Sequence, residues 1–111
     1  MGNHLLLEVY DIEYNLLDDI IPLLEVIQRG ISRAKMTILN IFTHKFEPQG
    51  LTIVIALSES HFSAHTWPEK GCIAIDIYTC GEGNPKIVAI ELLKYFNSYN
   101  YKIRSLNRQI Y

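Results

Sequence analysis

Two alternating apolar runs, Leu51 to Leu57 and Cys72 to Cys80, restrict this chain more than any other feature. In the first, Leu51, Ile53, Ile55 and Leu57 share one side, and Thr52, Val54 and Ala56 share the other. In the second, Ile73, Ile75 and Ile77 oppose Cys72, Ala74, Asp76, Tyr78 and Cys80. A period of two places successive side chains on opposite faces of a strand. Each run is therefore read as a strand with one greasy face that needs a layer of helix over it, and the mixed face of the second run is left for a partner or a site. Residues 59 to 80 also crowd together Glu59, Ser60, His61, His65, Trp67, Pro68, Glu69, Cys72 and Cys80. Reactive groups this dense, lying against apolar runs, indicate a site held by a sheet.

The rest of the chain supplies the other elements. Residues 4 to 10 read as a first strand, buried on both faces near its centre. Asp11 to Asn15 is a polar connection. Leu16, Ile20, Leu24, Ile27 and Ile31 recur at steps of three and four, so one helix face is buried. Pro22 would break a continuous helix, so the main helix is expected to start near Asp18 or Asp19, the aspartate capping it and the proline in its first turn. Met36 to Phe46 reads as a strand that turns at Glu47-Pro48-Gln49-Gly50 and pairs with Leu51 to Leu57. A second helix is capped by Asn84, begins at Pro85, and buries Val88, Leu92 and Phe96. Tyr99 to Leu106 alternates as an edge strand would.

The order β-α-β-β-β-α-β over residues 1–111 gives one α+β domain, a two-layer sandwich with an antiparallel sheet and two helices on one face. A domain of 111 residues is small enough to gain from a partner, and the uncovered sheet face is a natural homodimer surface. An apolar fraction of 49% and a charged fraction of 20% describe a globular protein. A net charge of -2 gives no electrostatic basis for nucleic-acid binding. No run approaches the roughly 18 apolar residues of a membrane span, and the start lacks the basic segment of a signal peptide. A soluble, cytoplasmic protein is the expectation. A strand between Cys72 and Cys80 would hold them roughly 25 Å apart, too far for a disulfide.

Residue types alone leave three site readings open. Ser60 with His65 and either Asp76 or Glu69 could form a hydrolase triad, although the Gly-x-Ser-x-Gly elbow is absent. His61, His65, Cys72 and Cys80 could hold zinc, although no Cys-x-x-Cys pair is present. In the third reading, His65 is a hydrogen-bonded sheet histidine, Trp67-Pro68 packs a turn and Cys80 is a small buried residue. Composition and spacing favour the third, with no metal.

Longer motifs change that balance. Glu59-Ser60-His61, His65-Thr66-Trp67-Pro68-Glu69 and Asp76-Ile77-Tyr78-Thr79-Cys80-Gly81 follow in order, with His4-Leu5-Leu6 at the start and His44-Lys45-Phe46 before Pro48-Gln49-Gly50. Together they resemble the short prokaryotic S-adenosylmethionine decarboxylase proenzymes, over nearly the whole chain. The resemblance implies autocatalytic serinolysis at Glu59-Ser60. Ser60 attacks the carbonyl of Glu59, the peptide bond shifts to an ester, and His65 takes the serine α-proton. β-Elimination then leaves a β chain of residues 1–59 and an α chain of 60–111 that begins with a pyruvoyl group. This covalent cofactor, derived from Ser60, forms a Schiff base with the substrate amine and takes up the electrons released on decarboxylation, the work pyridoxal phosphate does elsewhere.

The same resemblance makes Cys80 the proton donor in catalysis, and a thiol with an ordinary pKa near 8.5 suits that task. It gives Glu69 the ribose hydroxyls, Phe46 the adenine ring, Glu8 an acidic position near the site, and Thr52 the processing role of a serine. The product would be the aminopropyl donor for spermidine biosynthesis. Thr52 and Ile53 stand where the family commonly has serine and glycine, so Ile53 is expected to tighten the pocket or alter pairing. Relatives of this fold decarboxylate arginine or ornithine, which stands as an alternative substrate class. A non-catalytic dimerisation or ligand-binding module is the alternative from a different functional class.

Overall fold

The computed structural model describes residues 2–108. Its elements are β1 (Asn3–Val9), α1 (Tyr14–Asp18), α2 (Ile20–Arg33), β2 (Ile38–Lys45), β3 (Leu51–Leu57), β4 (Ser60–Trp67), β5 (Cys72–Thr79), α3 (Pro85–Phe96) and β6 (Tyr101–Asn107), with one tight helical turn at Pro68–Lys70. All six strands join one sheet in the order β2-β3-β4-β5-β1-β6. Every neighbouring pair is antiparallel. The α+β two-layer architecture is the one the alternating runs imply.

One face carries the core. Ile53, Ile55 and Leu57 of β3, Phe62 and Ala64 of β4, Ile73, Ile75 and Ile77 of β5, and Leu5, Leu7 and Val9 of β1 pack with Leu23, Ile27 and Ile31 of α2 and Val88, Leu92 and Phe96 of α3. The two helices meet closely at Gly30, where an added Cβ would lie 3.2 Å from the Val88 backbone. Arg33 and Arg29 pair with Glu91 across the helices at 2.8 and 3.6 Å.

Among the described residues no helix lies on the other face, and pairing arranges it in rows. One row runs Ala56, His61, Tyr78, His4 and Leu106, and the next Val54, Ser63, Asp76, Leu6 and Arg104. A third runs His44, Thr52, His65, Ala74, Glu8 and Lys102. The first strand is thus fully buried only through Leu5, Leu7 and Val9; Leu6 and Glu8 on the open face are half-buried.

Three expectations need correction. Five strands were expected, and β4 is the sixth: the reactive segment itself runs through the sheet. Its inward residues, Phe62, Ala64 and Thr66, include only two apolar side chains, so polar outward residues hide the alternation. The helix stripe is also displaced. Leu16 belongs to the separate α1, and Leu17, Leu23, Val26, Ile27 and Ile31 are the deeply buried residues, with Leu16, Ile20 and Leu24 at the margin. The break falls at Asp19 because Pro22 clashes with the carbonyl four residues back, at Asp18.

Neither aspartate caps α2 with its side chain. Asp18 instead accepts hydrogen bonds from the Gly50 N–H at 2.9 Å and from Lys45 Nζ at 2.6 Å, tying α1 to the β2–β3 turn. The Asn84 cap of α3 is as expected, its Oδ1 accepting the Lys86 N–H at 3.1 Å. Among the described residues, no helix is long and apolar enough to cross a membrane.

Candidate functional site

The residues singled out in the sequence fall into two separate clusters. The first lies where β3 turns into β4. Glu59 precedes the strand and Ser60 opens it with φ 154°, a region only glycine enters freely and one that costs an L-residue on the order of 1–3 kcal/mol. Past the end of β5, Cys80 reaches the same point. Its backbone N–H donates to the Glu59 carbonyl at 3.0 Å. Its Sγ–H donates to that same oxygen at 3.2 Å, and the Ser60 hydroxyl donates to Sγ at 3.6 Å. A line of exchangeable protons therefore runs from Ser60 Oγ through Cys80 Sγ to the carbonyl of the Glu59–Ser60 bond. Cys80 is exposed, not the small buried residue that composition favoured.

The second cluster occupies the far end of the open face. His65 Nδ1 and Thr52 Oγ1 are hydrogen-bonded at 3.0 Å, as directly opposed residues of β4 and β3. They line a pocket of about 330 Å³ with Phe46, Trp67 and Glu69. That volume lies within the range of small-molecule sites. The Phe46 ring packs edge-on to His44 with centroids 4.5 Å apart. Glu8 shares the row of His65, two strand spacings away, and pairs with Arg104 at 4.0 Å. Ile53 is fully buried on the helix side and pairs in regular register with Thr43 and Ala64, so it neither narrows the pocket nor disturbs the sheet.

The two clusters do not meet within one chain. Ser60 and His65 are five residues apart on one strand, roughly 16 Å at about 3.3 Å per residue. Odd spacing also puts them on opposite faces: Ser60 pairs with the buried Leu57 and Thr79, whereas His65 pairs with Thr52 and Ala74 on the open side.

Within one chain this geometry removes the hydrolase triad, with either Asp76 or Glu69 as its acid, since His65 lies far from Ser60 on the opposite face. It also removes the four-ligand zinc reading, because the length of β5 separates Cys72 from Cys80. Between the clusters lies a chain that the sequence reading did not assemble. His4 Nε2 is hydrogen-bonded to Asp76 Oδ1, His61 Nε2 lies 3.5 Å from Oδ2, and the Ser63 hydroxyl donates to Oδ2 at 3.4 Å. Arg108 donates to His4 Nδ1 at 3.2 Å, so the ring proton of His4 sits on Nε2 and is given to Asp76. A metal at this trio would have to displace that proton beside a guanidinium, against the usual pattern in which a ligating histidine donates its other N–H. The trio is read as a structural hydrogen-bond network. Its members all lie in the motif segments, which was the one available signal.

Comparison with known proteins identifies the family. The family model for S-adenosylmethionine decarboxylase matches residues 3–109. The chain belongs to the S-adenosylmethionine decarboxylase family. It is 42% identical over 110 residues to the S-adenosylmethionine decarboxylase proenzyme of Prochlorococcus marinus (strain MIT 9313), covering 98% of this chain and 88% of that protein. With the proenzyme of a Methanococcus maripaludis strain it shares 37% identity over 111 residues, covering 99% and 91%. The crystal structure of the adenosylmethionine decarboxylase from Aquifex aeolicus superposes with a TM-score of 0.89 at 28% identity, over 100% of this chain and 92% of that one.

Proposed function

We propose that this chain is a proenzyme that cuts itself between Glu59 and Ser60 and, once processed, decarboxylates S-adenosylmethionine to give an aminopropyl donor. The observation that carries the reading is the Ser60–Cys80–Glu59 line across the bond to be broken. Two donors on one carbonyl oxygen are what an addition step at that carbon requires, because they stabilise the charge that develops there. Ser60 Oγ bonds to the Glu59 carbonyl carbon, its proton passes to the departing nitrogen, and an ester replaces the amide. Loss of the Ser60 α-proton then breaks the Cβ–O bond and releases the Glu59 carboxylate. Water displaces ammonia from what remains and leaves the pyruvoyl group.

The base for the α-proton is His65, and in this reading it comes from a second copy. Two chains pack together, so that one copy's Ser60 and exposed Cys80, at the β3–β4 end of the sheet, work with the other's Thr52, His65, Phe46 and Glu69. Thr52 orients His65 through Nδ1, which is why a hydroxyl suffices at that position. Glu8, in the row of His65, belongs to the same half of the site.

The residues present suit a pyruvoyl group: a serine at a strained turn, its hydroxyl against a thiol, beneath a carbonyl held by two donors. When formed, that group supplies the ketone that holds the substrate amine and accepts electrons as carbon dioxide leaves. The chain's own part is to hold a proton at Cys80 Sγ for the carbon left behind, to accept ribose hydroxyls at Glu69, and to stack Phe46 on adenine. The relatives favour neither the arginine or ornithine alternative nor a non-catalytic module. Intact mass spectrometry should find two chains that meet at 59/60 in place of one of 12.8 kDa. Carbon dioxide should be released from S-adenosylmethionine and not from arginine or ornithine. A folded sample that stays whole and has no carbonyl to trap refutes the processing. Release from arginine or ornithine alone refutes the substrate.

A further inference from the structure

The residue before the scissile bond is gripped through its side chain as well as its carbonyl. Glu59 Oε1 accepts the Thr37 N–H at 3.2 Å, and the Ser58 N–H donates back to the Thr37 carbonyl at 2.9 Å. The β3–β4 turn is thereby tied twice to the residue just before β2. The Thr37 N–H first, and then the Ser58 hydroxyl, hold the Glu59 carboxyl below its ordinary pKa by hydrogen bonding to its charged form. Across the turn, a Cβ at Gly81 would lie 2.7 Å from Glu59 Cγ. The glutamate stem therefore lies over the one residue after Cys80 that leaves it room.

We infer that the Glu59 side chain is a positioning group for self-cleavage, anchoring the turn to Thr37 so that the scissile carbonyl stays on the Cys80 donors and Ser60 stays strained. This rests on the processing reading above. Without the anchor, Ser60 can relax toward ordinary extended φ, and the Glu59 oxygen then moves off the Cys80 N–H and Sγ–H. The effect falls on the first step, addition of Ser60 Oγ to the carbonyl, and not on the later removal of the α-proton.

The test follows cleavage of freshly translated full-length chain by intact mass, with hydroxylamine added to split any ester that has formed. Glu59→Ala should slow cleavage about tenfold, the effect of losing one charge-assisted hydrogen bond. Glu59→Gln keeps an acceptor oxygen for Thr37 and should stay within about threefold of wild type. Hydroxylamine should reveal no extra ester in Glu59→Ala, because the slowed step precedes it. Wild-type speed in Glu59→Ala overturns the inference, as does accumulated ester or a Gln variant as slow as the Ala one. Should Glu59→Ala fail to fold by circular dichroism, Gly81→Ala decides, since it displaces the carboxylate without deleting it. Slow cleavage in that variant supports the anchor, and unchanged cleavage overturns it. A wild-type chain that never cuts overturns the processing reading and this inference together, whereas normal wild-type cutting with an indifferent Glu59→Ala overturns this one alone.

Discussion

Chains carrying Ser60→Ala and chains carrying His65→Ala should each stay whole, yet a mixture of the two should cut itself. Removing a proton requires a base within about 3.2 Å, and within one chain His65 lies roughly 16 Å from Ser60 on the opposite face. In a two-fold dimer with shared sites, a mixed pair holds one complete set, Ser60 from the His65→Ala chain and His65 from the Ser60→Ala chain. Its other site lacks both groups. Random equimolar pairing makes about half of all dimers mixed, so about half of the His65→Ala chains, or about a quarter of all chains, should be cleaved. Mass spectrometry reads this directly, because the released 60–111 fragment must carry alanine at 65. Native mass spectra report whether mixed dimers formed. The reasoning fails if His65→Ala alone is cut at the wild-type rate, or if mixed dimers form and none of their chains is cut.

Other outcomes follow from the same geometry. Cys80→Ala removes Sγ–H but keeps the backbone N–H on Glu59, so cleavage should persist more slowly while turnover of processed enzyme falls at least about a hundredfold; equal losses in the two assays would refute separate roles. Glu69→Gln and Phe46→Ala line the second cluster, so both should raise KM for S-adenosylmethionine by about tenfold or more and leave the melting temperature of these exposed positions unchanged. The Asp18 carboxyl is held below its usual pKa, by the Lys45 hydrogen bond first and the Gly50 N–H next. A depressed folded pKa contributes stability that is present above the unfolded value and lost as pH falls through the folded one. Asp18→Asn should therefore cost about 1 kcal/mol at neutral pH and little in strong acid, measured by urea unfolding at several pH values.

Much of the fold was legible because burial and backbone period act locally. The isoleucines of β5 and the leucines and isoleucines of β3 announce a sheet with one dry face, and Asn84-Pro85 announces a helix start, from neighbours alone. β4 was not legible as a strand, since its outward positions are filled by His61, Ser63 and His65, whose chemistry masks the period of two. Asp18 looked like a helix cap for the same reason: its partners, Lys45 and Gly50, lie far along the chain.

The sequence by itself determined the family and pointed to the bond proposed here for cleavage and to the residue types proposed to cut it, because motif order and spacing are one-dimensional properties. Tertiary structure alone decided that Ser60 and Cys80 meet while Ser60 and His65 do not. Contact between positions 60 and 80 depends on antiparallel strands bringing the end of β5 to the start of β4, and separation of 60 from 65 depends on the pleat. Five residues look close in a sequence, but on a strand they span about 16 Å and change sides.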